Sequence, residues 1–249
     1  MTVAYAGRVS LTIKFPDINH GAEQDAEYCD VLLDGETRRI RFHDYGEIYE
    51  VPGLYEQLFY EELQCASPDV VVGLLEEALR AEGVASEELR VLDLGAGNGM
   101  VGERLARMGV AELVAVDVLP EAAAATERDR PGVYDEYVVA DMTDLSADQE
   151  RALRERDFTC LTSVAALGFG DAPPEVFSAA YDLLEDDGFV AFCIKADFLD
   201  DGESSGFSSM VRGKIADGEL EVVGRQRYEH RQSAVGDPLD YVALVARKR

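Results

Sequence analysis

The stretch Val91-Leu92-Asp93-Leu94-Gly95-Ala96-Gly97-Asn98-Gly99-Met100-Val101-Gly102 decides how this chain reads. Val91 to Leu94 form a short apolar run suited to a buried strand, and the glycines at 95, 97 and 99 break it. Glycine lets a backbone turn sharply and pass close to a ligand. Strand, glycine-rich turn and a helix from about Met100 together form the corner at which open parallel sheets hold nucleotide-like cofactors, beyond the carboxyl ends of their strands. The stretch therefore predicts a site for an adenosine-containing small molecule.

Working outward, residues 89 to 195 alternate strand-like and helix-like segments with short links. Strands are predicted at 89–94, 113–116, 134–140, 158–164 and 189–194, with helices opening near Met100, Pro120, Ala147 and Pro173. Such alternation gives a parallel sheet with helices on both faces. Residues 219–231 and 239–247 read as an antiparallel hairpin at the sheet edge. On the other side of the glycine run, Leu54, Tyr55, Leu58, Phe59 and Leu63 share a helical face. A second helix opens with Ser67 as cap and Pro68 at its first position, and closes at Gly83. In the first fifty residues, Val9, Leu11 and Ile13 alternate with polar neighbours in a strand ending near Pro16, and Asp34-Gly35 joins 28–33 to 37–42 as a hairpin.

Composition narrows the function. A chain of 249 residues, 47% hydrophobic, supports one main core. Its net charge of −27, from 50 acidic and 23 basic residues, argues against nucleic acid as partner, because phosphate backbones need compensating Lys and Arg. No uninterrupted apolar window of about eighteen residues occurs, and Met1-Thr2-Val3-Ala4-Tyr5 lacks the basic-then-apolar order of a secretory signal, so a soluble, cytoplasmic protein with no membrane partner is expected. Cys29, Cys65, Cys160 and Cys193 are spaced for neither zinc nor a disulfide framework. Free thiols and no metal are expected.

Asp93, Asp117 and Asp141 fall at or just beyond the ends of three successive predicted strands, so their carboxylates can line one cleft. An adenosyl ligand has a use for each. Asp117 accepts from the ribose hydroxyls, Asp141 accepts from the adenine amino group while Met142 packs on the ring, and Asp93 orients the loop or a ligand ammonium. One such Asp alone reads more readily as a strand-end or helix-cap residue. The glycine loop with two correctly phased carboxylates is the more specific sign. Gly97-Asn98-Gly99-Met100-Val101-Gly102 also satisfies the dinucleotide fingerprint, which would make the chain an oxidoreductase, but that frame would carry the strand on through Gly95 and leave Asp141 unused.

The pattern resembles the class I S-adenosylmethionine-dependent methyltransferases. Residues 91–99 are similar to that superfamily's first motif, Asp117 to its second, Asp141-Met142 to its third and Cys160-Leu161-Thr162-Ser163-Val164 to its fourth; Leu183-Leu184-Glu185-Asp186-Asp187-Gly188-Phe189-Val190 resembles the turn that leads into its fifth strand. Gly99 to Leu105 and the Pro131-Gly132-Val133-Tyr134 link are similar to methyltransferase-like proteins of the Williams-Beuren type. The resemblance implies an α/β, Rossmann-like, seven-stranded and mostly parallel sheet, its last strand antiparallel, with helices on both faces. It also implies two regions: a β-hairpin extension over residues 1–50 and a methyltransferase domain over 51–249 that starts with a helical lid.

By the same resemblance, S-adenosylmethionine would lie with its amino-acid end over Leu94, Gly95, Ala96, Gly97, Gly99 and Met100, its ribose on Asp117 and Val118, and its adenine beside Asp141 and Met142. Ser163 and Val164 would face the reacting methyl, and Tyr49, Tyr55, Phe59 and Tyr60 would cover the site. Methyl transfer is an in-line displacement that relies on proximity and exclusion of water, and it uses a base only where the acceptor must lose a proton. Relatives often carry a histidine just after the fourth strand, whereas Gly168 and Phe169 supply no polar group here. Asp171 and His43 are the candidate bases, His43 because Arg41-Phe42-His43-Asp44-Tyr45 leads towards the lid; His20 and His230 read as surface or hydrogen-bonding residues. The expected activity is methylation of a small molecule. The alternative is a non-catalytic protein that binds the same cofactor. The N-terminal extension either completes the pocket or offers its edge to a second copy as a homodimer.

Overall fold

A computed structural model describes residues 11–16, 26–167, 173–196 and 206–249. Val9, His20, Gly168, Phe169 and Asp171 lie outside these residues. Strands β1 (Thr12–Lys14), β2 (Tyr28–Leu33) and β3 (Glu36–Arg41) form a separate antiparallel sheet in that order. The predicted hairpin is present: Asp34 (φ 51°) and Gly35 (φ 84°) both take the left-handed conformation that two-residue hairpin turns favour. One face of this sheet buries Cys29, Val31 and Ile40 against Phe42, Ile48, Leu54, Leu58, Phe59 and Leu63, and against Ala234 from the far end of the chain. The extension thus shares one apolar cluster with the helical segment that follows it. A buried ion pair fixes the same contact, Arg231 donating to Glu27 at 2.6 Å, with the guanidinium lying over the Phe42 ring.

Next come α1 (Tyr45–Glu50), a π-helical turn at Glu56–Glu62 and α2 (Ser67–Glu82). The face expected over 54–63 is helical, with the wider π geometry from Glu56 to Glu62. Ser67 is not the cap of α2. Ala66 takes that position, and the buried Ser67 hydroxyl instead meets His230 Nδ1 at 2.5 Å and the Tyr228 hydroxyl at 2.6 Å. The strand packed above the helix end thus engages the hydroxyl, so the helix's own N–H groups do not. Gly83 closes α2 with φ 70°, as predicted.

The main body runs β4 (Arg90–Leu94), α3 (Met100–Met108), β5 (Glu112–Asp117), α4 (Pro120–Asp129), β6 (Glu136–Val139), α5 (Ala147–Arg154), β7 (Phe158–Ser163), α6 (Pro174–Tyr181), β8 (Leu184–Lys195), α7 (Phe207–Ala216), β9 (Leu220–Gln232) and β10 (Pro238–Lys248). The sheet order is β6-β5-β4-β7-β8-β10-β9, and β10 runs antiparallel to both of its neighbours. Successive residues of each strand feed opposite cores, as the pleat requires. Leu92, Leu94, Val114, Val116 and Leu161 pack with Phe177 of α6 and Phe207 of α7, while Val91, Leu113 and Cys160 pack with Leu75 of α2 and Leu105 of α3.

Three elements differ from the sequence reading. Helix α1 lies at residues 45–50, which were expected to belong to the β extension, helix α7 has no counterpart, and β8 starts at Leu184 where a turn was expected. The turn is absorbed as a bulge: Phe158 pairs with Leu184 and Cys160 with Phe189, with Asp187 at φ 61° taking up the slack. Cys29, Cys160 and Cys193 are buried and Cys65 is half-buried, all as free thiols. Among the described residues no helix is long and apolar enough to cross a membrane.

Candidate active site

At the carboxyl end of β4 the chain passes through Gly95 (φ 68°), Gly97 (φ 55°) and Gly99 (φ 83°), all left-handed. Space as well as angle demands glycine there. A Cβ on Gly95 would stand 2.5 Å from that of Ala166, and one on Gly97 would stand 2.4 Å from the Tyr49 hydroxyl. The loop is pinned by its backbone. Gly95 and Ala96 donate to the Val116 carbonyl at 2.8 and 3.3 Å, and the Gly97 carbonyl accepts from the Tyr137 and Thr126 hydroxyls at 2.7 and 2.9 Å. Asp117 ties the loop to the next strand: one oxygen accepts from Gly97 N–H and the other from Leu119 N–H, both at 2.9 Å. Burial raises its carboxyl above the usual range.

Above this loop lies a cavity of about 370 Å³. Its floor and walls come from residues 94–98, 100, 116–119, 140–143 and 164–166, and its roof from His43, Tyr45, Tyr49, Tyr55 and Tyr60. Of the residues expected at the site, Leu94, Gly95, Ala96, Gly97, Met100, Asp117, Val118, Asp141, Met142, Val164, Tyr60 and His43 all line it. Asp141 is partly engaged already, one oxygen accepting from the Thr143 amide and hydroxyl, which draws its carboxyl below the usual range.

Asp93, Gly99 and Ser163 are not brought to the cavity, and Phe59, expected in the cover, lines the smaller cavity beside it and packs in the N-terminal cluster. Asp93 is 1% exposed and accepts from the Tyr134 hydroxyl at 2.7 Å and the Thr162 hydroxyl at 2.6 Å, behind the loop. Burial pushes its carboxyl up to about 6. Gly99 faces Val133, Arg130 and Thr126, and Ser163 is fully buried. Strand alternation accounts for Asp93 in β4 and Ser163 in β7, while Gly99 caps α3. In a pleated strand only every second side chain points to a given face.

Three residues that the sequence reading passed over form a buried cluster beside the loop, and of them only Asn98 lines this cavity. Arg130 donates to Glu56 at 2.8 Å and to the Asn98 carbonyl at 3.0 Å, and the Asn98 amide donates to Glu56 at 2.7 Å. All three are buried, and among the described residues Glu56 Oε2 and Asn98 Oδ1 have no hydrogen-bond donor. Residues 42 and 74 positions apart leave no periodic or motif signal in a sequence. A second cavity of about 40 Å³ adjoins the first and shares His43, Tyr45, Tyr55 and Ala165 with it. Arg231 and the buried His230 also line it.

A glycine loop under a roofed cavity, an acid ending the second parallel strand and a reversed last strand are the attributes of the class I S-adenosylmethionine-dependent methyltransferases. The methyltransferase domain family matches residues 92–192, and the chain carries that domain and is an S-adenosylmethionine-dependent methyltransferase. The oxidoreductase alternative falls away with that match, which adds nothing to the Williams-Beuren-type likeness. No curated protein matches.

Among solved structures, the fold is similar to that of the N-methyltransferase NodS from Bradyrhizobium japonicum WM9, in complex with S-adenosyl-L-homocysteine, at 16% identity and TM-score 0.56, covering 83% of this chain and 97% of that one. Magnesium protoporphyrin IX methyltransferase from Synechocystis PCC 6803 with bound S-adenosylhomocysteine gives 14% identity and TM-score 0.51 over 73% of this chain and 83% of that one. Thermoplasma acidophilum 1320 gives 15% identity and 0.51 over 72% and 85%.

Proposed function

We propose that this methyltransferase acts on a small molecule enclosed between the glycine loop and the tyrosine roof. The observation that carries the reading is the roofed cavity itself: among the described residues lining it there is no Lys or Arg, in a chain of net charge −27. A polyanion would find nothing to neutralise it there.

The chain's residues fit the cofactor. Gly95 and Gly97 leave a cradle that a Cβ would fill, and the orphaned Oδ1 of Asn98, which lines the cavity, lacks the donor that an α-ammonium brings. Asp117 and Val118 would hold the ribose, and Asp141 and Met142 the adenine. Val164, with Ser163 behind it, would border the reacting end, and Leu94, Ala96 and Met100 the amino-acid end; Asp93 and Gly99 would support the loop from behind. S-adenosylmethionine, when bound, supplies an electrophilic methyl group. The protein's part is to hold the acceptor in line with it and to exclude water, which Tyr45, Tyr49, Tyr55 and Tyr60 do by covering the cavity.

His43, at the rim of both cavities, would take the acceptor's proton where one must leave; Asp171 is the second candidate. The apolar cluster common to residues 28–42, 48–63 and Ala234 favours reading the N-terminal sheet as a support for the roof over a homodimer contact. Two measurements test this. Calorimetry should show S-adenosylmethionine binding in preference to NAD, and S-adenosylhomocysteine release should be seen with a panel of small alcohols, phenols and amines. Turnover only with an RNA or protein acceptor would overturn the small-molecule reading. A His43→Ala variant losing less than a fewfold in turnover would remove His43 as the base.

A further inference from the structure

We infer that the 40 Å³ cavity seats the nucleophilic group of the acceptor, a neutral N–H or O–H, and that His230 receives its hydrogen bond through Nε2. The inference rests on the cofactor occupying the larger cavity. Continuity is the first support: both cavities are bounded by His43, Tyr45, Tyr55 and Ala165, so a group in the smaller one borders the space above β7. Size is the second. At roughly 10–15 Å³ per water, a cavity of this volume takes a few heavy atoms, enough for a reacting head group but not a whole substrate.

The third support is the state of the imidazole. His230 is 6% exposed, lines the cavity and stacks on Tyr241 with ring centroids 4.1 Å apart, which fixes its plane. Its Nδ1 lies 2.5 Å from the Ser67 hydroxyl and 3.8 Å from the Cys65 sulfur, which as a second acceptor leaves the ring N–H on Nδ1; Ser67 is itself 2.6 Å from the Tyr228 hydroxyl, and Tyr228 in turn meets Cys193. Cys193 sulfur also accepts the Ala165 N–H at 3.2 Å. With sulfur as the accepting end, the chain runs from Nδ1–H to Ser67 to Tyr228 to Cys193. That order leaves the lone pair on Nε2, which has no protein partner among the described residues. Burial, with Arg231 beside it, pulls the imidazole's pKa down to about 3, so the ring stays neutral and accepts without storing a proton.

These walls select the group that enters. Arg231 is committed to Glu27 at 2.6 Å and lies over Phe42 and Phe59, so a carboxylate or phosphate would face a lone pair with no spare cation. A neutral alcohol, phenol or free amine offers the donor that Nε2 lacks. In the transfer its nitrogen or oxygen lone pair forms the new bond to carbon and the carbon–sulfur pair stays on sulfur; the proton lost by the methylated nitrogen or oxygen is the one held against Nε2, and because His230 does not store it, it passes to His43, which borders the same cavity.

The experiment uses the full chain labelled with ¹⁵N-histidine. With 3 histidines in the sequence, a long-range ¹H–¹⁵N spectrum is readily assigned, and the signals lost in His230→Gln belong to His230. Calorimetry first checks that S-adenosylhomocysteine binds; absence of binding overturns the cofactor reading and this inference with it. In the loaded protein, His230 should show a protonated Nδ1 and an unprotonated Nε2. Ethanol should shift the Nε2 resonance, and acetonitrile, of similar size but without a donor, should not. A protonated Nε2, equal shifts from both probes, or no shift with ethanol would overturn the inference while leaving the cofactor reading intact.

Discussion

Replacing Gly102 with alanine sets local helix preference against tertiary packing, and packing should win. Gly102 lies inside α3, where alanine is intrinsically better by about 1 kcal/mol. A Cβ there would stand 2.4 Å from Tyr134 Cζ and 2.5 Å from its hydroxyl, so the ring must leave. With it goes the 2.7 Å hydrogen bond to the buried Asp93, worth about 1.5–3 kcal/mol for a charged acceptor, together with the edge contact on Tyr137. After the helical gain, net destabilisation should be roughly 1–3 kcal/mol, a fall in Tm of about 3–10 °C for a chain of this size.

Gly73, inside α2, is the control, because a Cβ there would meet nothing within 4 Å. Gly73→Ala should raise Tm by about 2–4 °C from the same intrinsic preference. Calorimetric melting of the two variants side by side makes the comparison. In a Tyr134→Ala background, Gly102→Ala should turn neutral or stabilising. A Gly102→Ala protein melting at or above the unmodified one would refute the claim that Gly102 exists to admit Tyr134.

Asp93 should leave a mark on the pH dependence of stability. Its folded pKa of about 6 lies above the unfolded value, so its contribution is fully favourable below about pH 4 and is lost as pH rises through 6, by roughly 3 kcal/mol in all. Asp93→Asn should abolish that component, read as the difference between Tm at pH 5 and at pH 8; an unchanged difference would contradict it. Glu56→Gln should cost about 1–3 kcal/mol by removing the nearer of the two carboxylates that face the buried Arg130, Glu103 remaining at 3.5 Å, while Glu56→Leu with Arg130→Met should recover much of the loss in a denaturant double-mutant cycle. Additive effects would show that the pair is not coupled. Asp117→Asn, which keeps the shape but turns one acceptor into a donor facing Gly97 or Leu119, should weaken S-adenosylmethionine binding by about 10–100-fold in calorimetry. An unchanged Kd would remove Asp117 from the cofactor.

Much of the fold is written locally. Val91 to Leu94 followed by alternate glycines can hardly be other than a strand, a left-handed turn and a helix, and Asp34-Gly35 prescribes its hairpin in the same way. Helix α7 was not legible, because its apolar positions Phe207 and Val211 stand in a segment rich in serine and glycine and take their meaning from Phe177 and Phe192. Ser67-Pro68 shows the opposite failure. A sound capping signal gave way to a hydroxyl that two side chains 161 and 163 residues away engage.

For the site, sequence determined the elements that carry their own backbone constraint: the glycine loop, and the strand-end positions of Asp117 and Asp141. Tertiary structure alone decided that Asp93 turns behind the loop to Tyr134, and that Glu56, Asn98 and Arg130 meet in one buried cluster beside the loop. It alone brought His230, from the last hairpin, to a cavity that His43 also borders. The division has a physical reason. Angles and periodicity act between neighbours and leave a pattern in the sequence, whereas burial of a charge or an imidazole is settled by partners that only packing brings into hydrogen-bonding range.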